Sequence, residues 1–205
     1  MYSLYIANGS SALAAHILLE EIGVPYETHT LSIPAKEHLS PDFLAINPRG
    51  RVPALVTAQG VIVENPAILA YLAQSHPDKN LVPTEPYAFA QAQSVNLYLA
   101  ATMHVAFAHK GRGARWSDDP DAIKSMQEKV PQTIKEGAQF VEDHLIKGPW
   151  VLGDTYSICD PCVFLVHRWM GANDIALDAF PKLTAHTDAM LTRPAVQAAM
   201  AQQGL

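Results

Sequence analysis

Residues 47–65 read NPRGRVPALVTAQGVIVEN, and the proline at the head of its apolar run is the feature that most limits how this chain can fold. Pro53 brings no N–H to Pro53-Ala54-Leu55-Val56, so it belongs at the first residue or the edge of a strand. Val52 then keeps its own N–H and C=O outside the ladder. A cis Val52–Pro53 bond is a hypothesis at this stage, because cis bonds are a minority even before proline. A turn that presents Val52 in this way offers one donor and one acceptor to an extended peptide. After the turn Ala58-Gln59-Gly60 and the strand Val61-Ile62-Val63, Asn65 is a favoured N-cap and Pro66 a favoured first helical residue. The helix start suits an anion, and Glu64 offers a carboxylate to an ammonium, so the pair suits an amino acid's backbone. The plainer reading is a strand-turn-helix corner with Glu64 in water, and local pattern does not choose between them.

The elements around this stretch alternate. Tyr2 to Ile6 reads as a strand, Ala7-Asn8-Gly9-Ser10-Ser11 as a turn with two hydroxyl caps, and Ala12 to Ile22 as a helix stopped by Gly23 and Pro25. Tyr26 to Leu31 is a second strand, Ile33 to Leu39 a polar loop, and Ser40-Pro41 caps a short helix to Ile46. The order through His76 is therefore β-α-β-α-β-β-α, with the first two strands parallel and the last two an antiparallel hairpin. Breakers from His76 to Pro86 mark a boundary, giving a first domain over 1–77, a linker over 78–87 and a helical domain over 88–205.

Beyond the boundary no strand is needed. Ala88 to about Gly111 is one long helical stretch with Val95, Leu99, Met103 and Phe107 in one row. Pro120 to Leu145 is another, with a kink or break expected at Pro131. Ser157 to Asp160 forms a variant capping box opening an apolar helix to Met170, and Pro181 and Pro194 introduce two shorter helices.

Charge and composition narrow the partners. With 205 residues, nearly half of them hydrophobic, and a formal charge of −6, the chain has ample material for a core and no basic footprint for nucleic acid or an anionic membrane. It shows neither a signal peptide nor a membrane span, and its two cysteines fit a reducing compartment, so the expected location is cytoplasmic. No histidine or cysteine spacing suggests a metal; His104 and His109 are five apart and do not share a helix face.

Four groups carry possible chemistry. Ser10 or Ser11 either caps the first helix or donates a hydrogen bond to a bound thiolate, whose formation a hydroxyl and a helix N-terminus both favour. Acyl transfer is the weaker idea, since no G-x-S-x-G elbow surrounds either serine. Cys159 and Cys162 form a C-x-x-C outside the βαβ half, and the apolar context favours buried core thiols over a redox pair. His16 and Glu20 stand four apart as an exposed pair. Arg168 and Trp169 either line a cleft or serve only capping and packing.

Taken together, HILLEEIGVPYE (His16–Glu27), SPDFLAINPRGRVPAL (Ser40–Leu55), ENPAILAYLA (Glu64–Ala73) and SICD (Ser157–Asp160) make the chain resemble a cytosolic glutathione transferase, nearest to bacterial beta-like members. The resemblance spans essentially the whole chain. It implies a thioredoxin-like N-terminal domain, an all-helical C-terminal domain, a homodimer, and glutathione as cosubstrate. It further implies that Val52, before a cis Pro53, binds the cysteinyl backbone, that Glu64 and Asn65 hold the γ-glutamyl end, that Lys36 points toward the glycyl carboxylate, and that Arg51 is a further glutathione-binding residue. Beta-like members carry a cysteine in the first turn of the opening helix; here the position reads Ser11, with Ser10 before it, as in serine-type transferases. Asn65 replaces the more usual serine. His104 matches a histidine near the sulfur, and His104, Phe107, Arg168 and Trp169 match positions toward a small apolar electrophile. The implied activity is conjugation of the glutathione thiolate to that electrophile. The alternatives are another glutathione-dependent enzyme (isomerase, dehalogenase or lyase), a non-catalytic interaction protein on the same fold, and a C-x-x-C oxidoreductase.

Overall fold

The computed structural model describes every residue except Asp174, and the chain divides into two compact units. One comprises Met1–Pro83 with Met190–Leu205, the other Thr84–Ala189. The sequence expectation gave all of 88–205 to the helical domain; the last sixteen residues instead pack with the first unit.

The first unit is a thioredoxin-like layer of sheet and helices. Strands β1 (Tyr2–Ile6), β2 (Tyr26–Thr30), β3 (Ala54–Thr57) and β4 (Gly60–Val63) form one sheet in the order β2-β1-β3-β4. β1 runs parallel to β2, with Tyr2 opposite Tyr26, and antiparallel to β3, with Ser3 opposite Val56; β3 and β4 form the antiparallel hairpin. Helices α1 (Ala12–Ile22), α2 (Pro41–Ile46) and α3 (Asn65–Ser75) complete the expected βαβαββα order. Leu4, Ile6 and Leu55 from the sheet meet Leu13, Ile17 and Leu18 of α1 and Ile68, Leu69 and Leu72 of α3 in a fully buried core. Each such side chain contributes roughly 1.5–3 kcal/mol by leaving water.

Helix α1 departs from its expected one-sided burial. Ala12 through Leu19 are all buried, because both α3 and α9 (Pro194–Gln202) pack on α1. His16, expected on the surface with Glu20, is 0% exposed. Its ring nitrogens meet Tyr26 Oη at 2.9 Å, Gln202 Oε1 at 3.1 Å and Gln203 Nε2 at 2.9 Å. Arg193 adds a two-bond ion pair to Glu21, at 2.6 and 2.8 Å.

The second unit contains helices α4 (Pro86–Tyr98), α5 (His104–Arg112), α6 (Pro120–Phe140), α7 (Asp160–Gly171) and most of α8 (Pro181–Leu191). The long helical stretch expected from Ala88 to Gly111 is continuous but contains one π-helical turn, Leu99–Met103, between α4 and α5. Helix α6 runs unbroken through Pro131. The lost hydrogen bond there is offset by burial of Val130, Ile134 and Ala138 along the side that packs on α5.

The expected capping box opens α7. Asp160, 0% exposed, accepts from Ser157 N–H at 2.6 Å and Ser157 Oγ at 3.0 Å, and its other oxygen takes Val151 N–H at 2.8 Å. His186 Nε2 lies 2.9 Å from the same oxygen, so one buried carboxylate joins the 150s loop, α7 and α8. Removing it leaves several donors without an acceptor, a loss of about 3–5 kcal/mol for a buried charged centre. Asp160→Ala is therefore expected to lower the unfolding free energy by about that amount in urea titration, whereas Lys124→Ala, which removes an exposed pair with Glu128, should change it by under ~1 kcal/mol.

Candidate active site

The site is assembled in the first unit where three chain corners meet. The first is the turn before α1. Ser10 N–H donates to Ala7 C=O at 3.0 Å, and Gly9 supplies the left-handed φ of 69° that closes the turn. Ser10 Oγ accepts the Ala12 N–H at 3.3 Å and so fulfils the capping role. Ser11, already in helical conformation, makes no side-chain cap bond. Either hydroxyl keeps its O–H to donate, since Ser10 Oγ only accepts from Ala12 N–H; Ser11 Oγ is the one that makes no cap bond.

The second corner is the start of α3. Asn65 was expected as N-cap; the helix instead begins at Asn65 itself, with Glu64 preceding it at φ 70° and ψ 123°. That conformation is sparsely populated for a residue with a side chain. The Asn65 amide is thereby free to cross to α1, where Nδ2 donates to the Ser11 carbonyl at 2.5 Å. Its Oδ1 is buried and has no hydrogen-bond partner among the described residues, an open acceptor beside Ser11. The Glu64 carboxylate is exposed and pairs with Arg49 Nη1 at 2.5 Å.

The third corner is the turn into β3. The Val52–Pro53 peptide is cis, Pro53 is buried, and β3 begins only at Ala54. Val52 thus stands outside the ladder, as its position before the proline suggested. Asn47, 2% exposed, holds this turn: Nδ2 donates to Arg51 C=O at 2.6 Å and Oδ1 accepts Arg49 N–H at 3.1 Å. Gly50, at φ 57°, lies where an added Cβ would come within 2.9 Å of His38 C=O. Sequence reasoning missed Asn47, although an Asn two residues before Arg in a Pro-Gly turn is a recognised signal. Nothing in the pattern pointed to the Arg49–Glu64 pair. Arg51 is exposed next to Val52, and Lys36 is exposed at a left-handed φ of 59° in the loop after β2.

The four residues expected toward the electrophile lie in the second unit. The His104 and Trp169 rings are 5.1 Å apart between centroids, and Phe107 meets the edge of the same indole at 5.4 Å. His104 is the first residue after the π-helical turn, so the wider turn sets its direction. Arg168 instead lies over the Phe164 ring at 5.6 Å, and burial lowers its pKa. The aromatic trio is brought together; Arg168 points to a separate contact.

Residues 1–74 match the glutathione S-transferase N-terminal domain and residues 95–194 the C-terminal domain. The chain belongs to the glutathione S-transferase family. It is 30% identical to the glutathione S-transferase GstA of Escherichia coli O157:H7 over 98% of both chains. A glutathione transferase homolog from Sulfitobacter, solved with bound glutathione, is 40% identical and superposes with a TM-score of 0.96 over 100% of this chain and 99% of its own. The maleylacetoacetate isomerase of Pseudomonas aeruginosa is 26% identical over 97% of this chain and 94% of its own.

In this chain the C-x-x-C has no redox geometry. Cys159 and Cys162 are buried free thiols, and Cys159 Sγ donates to Ala92 C=O at 3.3 Å. Burial pushes the Cys159 thiol well up and the Cys162 thiol up to about 12. Neither supplies thiolate at neutral pH. Native protein at neutral pH is expected to resist iodoacetamide for hours and to label at both positions once unfolded; rapid labelling of the folded chain would contradict the buried, protonated assignment.

Proposed function

We propose that this chain is a glutathione transferase in which Ser11 Oγ donates a hydrogen bond to the glutathione thiolate, and the thiolate attacks a small apolar electrophile. The observation that carries this reading is the Asn65 amide. It fixes the Ser11 carbonyl through Nδ2 at 2.5 Å and leaves a buried Oδ1 without a hydrogen-bond partner among the described residues. That acceptor suits the ammonium of a γ-glutamyl group, with the Glu64 carboxylate adjacent in sequence. Val52 offers its backbone N–H and C=O to the cysteinyl residue, which directs the thiol toward the start of α1. Lys36 and Arg51 supply positive charge for the glycyl carboxylate. His104, Phe107 and Trp169 form the apolar surface assigned to the electrophile, and the protein works as a homodimer, as its family resemblance implies.

A free thiol ionises near ~8.5. A hydroxyl donor and the α1 N-terminus favour the charged form, so more nucleophile exists at neutral pH. Holding the thiolate against the electrophile provides the remaining acceleration through proximity. A second reading, a glutathione-dependent isomerase, is favoured by the relative named maleylacetoacetate isomerase. The two separate on stoichiometry, because conjugation consumes glutathione and isomerisation returns it.

Ser11→Ala is expected to lower kcat at pH 7 by about 10- to 100-fold, the scale of one donor to a developing anion, with little change in glutathione affinity. The deficit should shrink as pH rises past the free thiol's own pKa, where thiolate forms unaided. Turnover equal to wild type across that range would remove Ser11 from the mechanism.

A further inference from the structure

The turn that presents Ser11 is held from a distant part of the chain. Its internal bond runs from Ser10 N–H to Ala7 C=O, and the central Gly9 N–H is not the donor of that bond. That N–H donates to Gln203 Oε1 at 3.1 Å. Gln203 follows α9, is 2% exposed, and places its Nε2 2.9 Å from His16 Nδ1.

Chemistry fixes the direction of every bond in this chain. A backbone amide can only donate, so the Gln203 oxygen faces Gly9 and its NH2 faces His16. His16 Nδ1 therefore carries a lone pair, and the ring proton sits on Nε2, toward Tyr26 Oη and Gln202 Oε1. Tyr26 and Gln202 both donate onward to Glu20. Burial lowers the His16 pKa, in keeping with a neutral ring even though Glu20 stands nearby. The turn is thus fixed at two points: Gln203 holds the Gly9 amide, and Asn65 holds the Ser11 carbonyl.

We propose that Gln203 is a positioning residue for the transferase reaction, fixing the Ser10–Ser11 turn through the Gly9 amide so that Ser11 Oγ meets the glutathione thiol. The proposal rests on the transferase reading of Ser11. A buried glutamine that only fastens α9 to α1 predicts something different, because the Arg193–Glu21 pair fastens the same helices at the end of α1 away from the turn.

The test compares Gln203→Met, His16→Phe and Arg193→Met in the full chain. It reads amide hydrogen exchange at Gly9, kcat and KM for glutathione, and the pKa of the bound thiol by ultraviolet absorbance. Gln203→Met is expected to speed exchange at Gly9, lower kcat by roughly tenfold through misplacement of one donor, raise the bound-thiol pKa, and leave KM for glutathione within about twofold. His16→Phe, which removes the partner that orients Gln203, is expected to move the same readouts in the same direction and carries the test where Gln203→Met does not fold. Arg193→Met should lower the melting temperature and leave Gly9 exchange, kcat and thiol pKa unchanged. Unaltered Gly9 exchange in Gln203→Met, or equal changes in all readouts with Arg193→Met, would overturn the proposal. A wild-type chain that binds glutathione without lowering its thiol pKa overturns the catalytic reading of Ser11 and the catalytic part of this proposal, while the exchange comparison still decides whether Gln203 holds the turn.

Discussion

The contact on which the site depends is the hydrogen bond from Asn65 Nδ2 to the Ser11 carbonyl. It ties the first turn of α3 to the first turn of α1, two helices that the sheet already brings side by side. For that bond to form, Asn65 must give up the capping role its sequence position suggests, and Glu64 must accept a backbone conformation uncommon for a side-chain-bearing residue. The corner is therefore built for something other than helix stability. A buried Oδ1 with no partner among the described residues is the complementary observation, since an open acceptor costs free energy until a donor arrives.

The same economy of roles separates the two serines. Ser10 Oγ caps α1 by accepting from Ala12 N–H, and Ser11 Oγ makes no cap bond. The cis Val52–Pro53 turn, held by Asn47 from below, supplies the third element, a backbone edge facing outward from the sheet. None of these parts needs a charged cluster or a reactive cysteine; the two cysteines present belong to the second unit's core.

Much of the fold was legible because local signals and global order agreed. Pro53, the Gly60 turn and the order of strands led to the parallel β1–β2 pair and the β3–β4 hairpin, though not to the antiparallel β1–β3 pairing that joins them, and the Ser157–Asp160 box marked the start of α7. What escaped was set by contacts distant in sequence. His16 looked like a surface residue because α1 alone shows one apolar stripe, and only the return of residues 190–205 buries the opposite face. Pro131 looked like a break because propensity weighs the lost backbone bond but not the burial of Val130 and Ile134 that offsets it. At the site, Asn65 and Ser11 were legible from local capping and turn signals, but their bond across 54 positions has no local signature. The π-helical turn ahead of His104 is likewise invisible in a periodicity read at 3.6 residues per turn.

The central claim is that this corner binds glutathione and draws its thiol into the charged form. A glutathione titration of the wild-type chain, following heat and the ultraviolet absorbance of the thiolate together across pH, addresses it most directly. The account predicts saturable binding with a bound-thiol pKa clearly below that of free glutathione. Binding with an unshifted thiol, or no binding at all, would contradict it.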